Sequence, residues 1–145
     1  MANRQFVTFR IDNNLAGIDI LKVREINRVL DITPVPHAPE YVLGLINLRG
    51  QTVTVFDLGV RLGLLPRDIT PETHNLILKR DTVGLLVDDI GDVIEAEENE
   101  IRPPPANIGE INGEFVESVV KLDEEILMVL SSEKILGQRS SEDKT

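Results

Sequence analysis

Few residues in this chain could do chemistry, and those few do not converge in sequence. The two histidines, His37 and His74, are far apart and sit beside Pro or Thr in loop-like surroundings. Cysteine is absent, which excludes disulfides, thiolate zinc sites and cysteine nucleophiles. There is no Gly-x-Ser-x-Gly elbow, no phosphate-cradling glycine loop and no His-Glu-x-x-His pair. Asp88-Asp89 and the acidic run 95–100 have the residue types for acid–base work or for holding a cation. Between alternating apolar residues they read instead as turn and edge charges that discourage strand-to-strand aggregation. Arg102-Pro103-Pro104-Pro105 has the composition of a polyproline II ligand but reads as a rigid connector. The expectation is no catalytic residue, no metal ligand and no cofactor.

One candidate charge pair remains. The stretch 35–50 reads as a proline-braced bend, a strand over 43–48, and a tight turn in which Gly50 permits positive φ. Arg49 sits at that turn with no nearby carboxylate in sequence, so its guanidinium needs a distant acceptor or a partner. Glu25, flanked by Val23 and Ile26, is the candidate acceptor. A solvated turn arginine is the alternative, and the residues alone leave both readings open.

These residues must be positioned by strands. Val7, Phe9 and Ile11 alternate with polar residues, as do Ile18 and Ile20, Val53 and Val55, Leu76 and Leu78, and Leu85 and Val87. A period of two means half-buried strands, and turn residues punctuate them at short intervals, so the reading is all-β. Two short helices are expected. One follows Phe56, capped by Asp57, with Leu58, Leu62 and Leu65 on one face. The other follows Leu130, capped by Ser131 or Ser132 and stopped at Gly137.

These two endings look alike, and the likeness extends backwards. At an offset of 74 (Gly63 to Gly137), Phe56 meets Leu130, Val55 meets Val129 and Leu48 meets Leu122. At an offset of 67 (Gly17 to Gly84), Ile18 meets Leu85, Val23 meets Ile90, Ile26 meets Val93 and Pro36 meets Pro103. The chain therefore reads as an internal duplication with an insertion around 107–113. Each unit of roughly 60 residues is near the lower limit for independent stability, so the two should pack along an apolar seam with a groove beside it. The expected fold is two small barrel-like sheets side by side, each followed by a short helix. The expected division is one domain over 1–137, with subdomains over about 15–66 and 74–137. The strand over 5–11 is a further candidate for the second, and 138–145 reads as a disordered tail.

The net charge of −10 and an aromatic content of 3% argue against nucleic acid, whose phosphates would be repelled and whose bases would find few stacking partners. No secretory leader and no run of about 18 apolar residues is visible, so the expectation is a cytoplasmic protein without membrane insertion.

The stretch 17–26, then Pro36, Pro39 and Gly44-Leu45-Ile46-Asn47-Leu48-Arg49-Gly50, then Phe56-Asp57-Leu58, resembles the CheW-like family of chemotaxis coupling proteins. Val83-Gly84-Leu85-Leu86-Val87-Asp88 and Ile101-Arg102-Pro103 fit the same resemblance, which covers about 6–136. It implies an all-β fold of two small SH3-like five-stranded β-barrels packed side by side, and a non-enzymatic, free-standing adaptor that couples chemoreceptors to the histidine kinase CheA. The implied partners are the CheA regulatory domain and a receptor signalling tip, with the adaptor a monomer alone and assembled in receptor arrays. The receptor tip is expected along the groove at Val23, Glu25, Ile26, Arg49, Val87 and Ile90. The kinase is expected at Leu15, Val42, Leu43 and Gly44, with Asn47, Leu48, Arg49 and Gly50 as the turn motif. Ser131 stands where the family often has Asp, Thr54 where Pro is common, and Glu117-Ser118 where Gly is usual, so contacts on the second unit are the less typical ones. The rival reading is a duplicated barrel that binds or transforms a small molecule in its groove.

Overall fold

The period-of-two alternation produces strands along most of the chain. The computed structural model describes residues 3–28, 31–106 and 109–137; the tail 138–145 lies outside them. Its strands are β1 (Asn3–Ile11), β2 (Asn14–Asp19), β3 (Val23–Arg28), β4 (Val42–Leu48), β5 (Gln51–Asp57), β6 (His74–Leu78), β7 (Val83–Val87), β8 (Asp89–Glu97), β9 (Ile101–Arg102), β10 (Val116–Lys121) and β11 (Ile126–Leu130). Two short helices, α1 (Leu58–Arg61) and α2 (Ser132–Leu136), follow β5 and β11. The strands form a six-stranded sheet, β8-β1-β2-β11-β10-β9, and a five-stranded sheet, β3-β6-β7-β5-β4. The all-β, two-sheet class expected from the sequence holds, with the two-residue β9 as an extra strand.

The strand registers repeat the sequence offsets. Val55 lies opposite Gly84 in the parallel pair β5·β7, and Val129 lies opposite Gly17 in the parallel pair β11·β2. A bulge between Val42 and Gly44 on β4 recurs between Val116 and Ser118 on β10. Val23 and Ile26 face Leu78 and Leu76 as Ile90 and Val93 face Phe9 and Val7.

The sheets do not follow chain order. The hairpin β6–β7 joins β3, β4 and β5, while β1–β2 joins the strands from β8 onward. Each half thus lends its leading hairpin to the other half's sheet, so spans of 15–66 and 74–137 do not coincide with the two sheets. Parallel neighbours cannot be joined by a tight turn, and this exchange supplies the long crossovers they need.

The exchange also sets the core. Val83, Leu85 and Val87 of β7 face Phe9, Ile18, Met128 and Leu62 in the seam between the sheets. Leu86 points the other way, toward Val53, Val55 and Ile77 inside the five-stranded sheet. Phe6, Val120, Leu127 and Val129 fill the six-stranded one. The insertion contributes to the seam: Ile111 is buried there beside Phe115, and the Asn112 N–H donates to the Leu62 carbonyl at 2.9 Å.

Local signals act as read. Asp57 caps α1 by accepting from the Val60 N–H at 3.2 Å, and Ser131 caps α2 through Lys134 N–H at 3.2 Å. Gly137 ends α2 in the left-handed region at φ +74. Leu65 departs from the expected helix face; the helix has ended before it, and it is 81% exposed. After β3 the chain returns to β4, where Thr33 and Leu45 exchange two backbone hydrogen bonds of 2.8 Å. Gly44 sits at that crossing with φ +150, and a Cβ there would collide with the Thr33 carbonyl.

Candidate functional site

The Asn-Leu-Arg-Gly motif is a two-residue hairpin turn. Arg49 (φ +52) and Gly50 (φ +84) give it the type I′ form that matches strand twist. The Asn47 side chain accepts from the Gly50 N–H at 3.0 Å, and buried Leu48 anchors the strand end inside the five-stranded sheet. Arg49 is left projecting from a fixed tip, and its Nη2 donates to Glu25 Oε2 on β3. Of the two readings open for Arg49, the ion pair is the one formed. Glu25 also accepts from Asn27 at 3.3 Å and lies 3.6 Å from Arg24 Nε, while Arg24 Nη1 donates to Gln51 Oε1 at 2.8 Å. The Arg49 hydrogen bond holds the Glu25 carboxyl below the usual glutamate range, against some desolvation and with help from Asn27 and the charge of both arginines. Two arginines against one carboxylate leave the patch cationic on an acidic protein.

Beside it runs an apolar lip. Bulges in the β3·β6 and β1·β8 pairs bring Val23 and Ile26, and likewise Ile90 and Val93, opposite seam residues. Val23 and Ile90 are half-buried against the seam, Ile26 is 36% exposed and Val93 49%. Val93 was not among the residues expected from sequence, although its match with Ile26 at offset 67 pointed to it. Val87 corrects the expectation: it is 0% exposed, because β7 is sandwiched between the seam and the sheet interior. It supports the lip from below and offers no surface to a partner.

The expected kinase-binding residues do not gather. Leu15 lies in the six-stranded sheet, half-buried against its interior, whereas Val42, Leu43 and Gly44 belong to the five-stranded one. Val42 packs on the seam, Leu43 packs inward and Gly44 is buried. Hairpin exchange is the reason, since it moved β2 away from β4.

Sequence reasoning missed a second ionic cluster. Arg67, in the connector between α1 and β6, has a side chain only 5% exposed. Its Nε donates to Asp57 Oδ1 at 2.9 Å, and its Nη1 donates to the two Asp88 oxygens at 2.7 and 2.8 Å and to Asp12 Oδ1 at 3.4 Å. Gly59 makes room, since a Cβ there would overlap the guanidinium. Burial alone would lower the Arg67 pKa; the Asp88 hydrogen bond and charge, with Asp57 and Asp12, outweigh it and raise it. Asp88 is therefore more than the solvated edge charge expected: with Asp12 and Asp57 it ties the connector to both sheets. Another arginine, Arg61 of α1, lies 4.5 and 4.8 Å from the ring centroids of Tyr41 and Phe115 and donates to the Ile135 carbonyl at 2.7 Å. Among the described residues no group of three or more His, Cys, Asp or Glu is placed to hold a metal ion, and no helix is long and apolar enough to cross a membrane.

A fixed charged turn beside half-exposed aliphatics, on a rigid two-sheet body, is the equipment of a protein that binds other proteins. The chain belongs to the CheW-like domain family, whose model matches residues 5–140. It is 33% identical over 143 residues to a probable chemotaxis protein CheW of Rhizobium etli, covering 97% of this chain and 92% of that one. It is 32% identical to the chemotaxis protein CheW of Bacillus subtilis, covering 95% and 90%. The crystal structure of the scaffolding protein TtCheW from Thermoanaerobacter tengcongensis superposes with a TM-score of 0.82 at 33% identity, covering 90% of each chain.

Proposed function

We propose that this chain is a non-enzymatic adaptor of the cytoplasm that couples chemoreceptors to the histidine kinase CheA. It works by linkage: a signal passes only because receptor and kinase make different contacts with the adaptor in different states. The carrying observation is the surface on which the Glu25–Arg49 pair adjoins the seam lip of Val23 and Ile26. Such a lip suits a helical receptor hairpin laid into it, with Ile90 and Val93 as the equivalent apolar edge on the other sheet. The exposed ion pair contributes little to stability and is better suited to orientation and specificity. For the kinase regulatory domain, the outer edge of the five-stranded sheet around Val42 and Leu43 is the proposed contact, with Leu15 left to a separate surface. Each contact can be weak where arrays hold the partners close together.

The test is binding of the purified chain to a CheA regulatory domain and to a receptor signalling tip, with Arg49→Glu alongside. Saturable binding to both, with the receptor arm weakened in a variant of unchanged stability, is the expected result. A folded chain that binds neither would overturn the reading.

A further inference from the structure

A separate cavity of about 320 Å³ opens where both halves of the chain meet. The helical turn Ile20–Lys22, the end of β6 with its turn into β7, and α2 build it. Its apolar lining is Leu21, Leu78 and Leu136. Its rim carries Lys22, Lys79 and Arg80 against Asp19 and Glu133. None of Val23, Glu25, Ile26, Arg49, Ile90 or Val93 lines it.

We propose that this cavity docks an acidic segment of a partner protein, which seats one leucine-sized side chain against Leu78 and Leu136. Three observations point to that occupant. First, Leu78 is part of the seam core and Leu136 packs on it, so an inserted side chain meets a rigid floor, while Leu21 stands 70% exposed at the lip. A leucine so exposed gains from being covered.

Second, the rim is cationic on a chain of net charge −10. The Asp19 carboxylate is already taken by Arg4 at 2.9 Å and by the Leu21 N–H at 2.9 Å. Glu133 stands 4.0 Å from Lys22 with its side chain 63% exposed, a loose contact that an incoming carboxylate can replace. Exposed cations add modest energy each, but on an acidic chain they steer an acidic partner toward this rim.

Third, the cations come from two elements and sit at the rim rather than inside. A small amphiphile brings one headgroup, whereas a peptide brings several carboxylates along its length. The cavity is also near the lower size limit of small-ligand pockets, about 300 Å³, and suits a single anchor.

The test uses the isotope-labelled full chain and a synthetic peptide of Glu and Asp residues around a central leucine pair. Saturable NMR shifts confined to 19–22, 78–80 and 132–136 are expected, with a Kd between about 10 μM and 1 mM. The double substitution Lys79→Glu/Arg80→Glu should weaken binding at least about tenfold, as should Leu→Ser in the peptide. If that variant disturbs the spectrum elsewhere, Leu21→Ser replaces it. Absent or scattered shifts, or affinity unchanged in the variants, would overturn the proposal. So would decanoate binding there when the peptide does not, since the site would then take a small amphiphile. Neither kinase nor receptor is needed, so failure here leaves the coupling function standing.

Discussion

The guanidinium of Arg67 lies against the carboxylate of Asp57, Nε to Oδ1 at 2.9 Å, with only 5% and 2% of the two side chains exposed. Asp57 also caps α1, so one buried carboxylate fastens both the helix and the connector that follows it. Removing one partner of such a pair leaves an uncompensated buried charge, which typically costs about 3–5 kcal/mol. Arg67→Met is expected to lower the unfolding free energy extrapolated from urea denaturation by that amount. Adding Asp57→Asn should recover part of the loss, because Asn keeps the cap without the charge. A loss below about 1 kcal/mol in Arg67→Met would mean that the pair is solvated in solution.

Glu25 should titrate low. Its carboxyl is held below the usual glutamate range chiefly by the Arg49 hydrogen bond. A depressed folded-state value means that the associated stability is present above the unfolded pKa and is lost as pH falls through the folded one. NMR titration of the Glu25 side chain is expected to give a midpoint below that of a free glutamate, and Arg49→Gln should raise it. Salt should raise it too, because the pair is exposed. Glu125, bonded bidentately to Arg10 at 2.9 and 2.8 Å, should shift the same way and stay low in Arg49→Gln.

Much of this arrangement was legible because it is local or repeated. Asp57 and Ser131 announce their caps within three residues, and Arg49-Gly50 announces its turn within two. The duplication was legible because Gly17 and Gly84 keep their spacing, and the registers carry it into space. Hairpin exchange was not, since a strand's alternation says that one face is buried but not which strand lies beside it. Nor was the burial of Val87: on β7 both faces are covered, so a period of two no longer separates surface from core. Arg67 was illegible because its carboxylates, Asp12, Asp57 and Asp88, come from three separate places at different distances along the chain.

Gly44 should tolerate no side chain. Its φ of +150 and the Thr33 carbonyl above it leave no space for a Cβ, and Thr33 itself is bonded twice to Leu45. Gly44→Ala is expected to cost upwards of about 2 kcal/mol by strain and by displacing that bridge. Amide exchange at Thr33 and Leu45 should rise sharply in the variant. Ser118→Ala, at the equivalent bulge on β10, should be mild, because Ser118 already carries a Cβ there and its hydroxyl is buried without a partner. A loss below about 1 kcal/mol in Gly44→Ala, with exchange at Thr33 and Leu45 unchanged, would show that the crossing gives way to a methyl group.

Val87 and Val93 separate the seam from its lip. Val87 is buried among Leu76, Leu85 and other seam residues, so Val87→Ala removes packed methyls and leaves a cavity, at about 2 kcal/mol. Val93 is half-exposed, and Val93→Ser should change stability by no more than about 0.5 kcal/mol. Binding to a receptor tip should respond in the opposite order. Val93→Ser and Ile26→Ser remove contact surface directly, whereas Val87→Ala, measured well below its unfolding midpoint, leaves the lip in place. Denaturation and receptor titration on the three variants give a two-by-two outcome. If Val87→Ala weakens binding as much as Ile26→Ser while the protein stays folded, the seam is part of the binding mechanism and transmits strain to the lip. If Val93→Ser and Ile26→Ser both leave receptor affinity unchanged, the lip is not where the receptor lies, and the Glu25–Arg49 pair would have to act without an apolar neighbour.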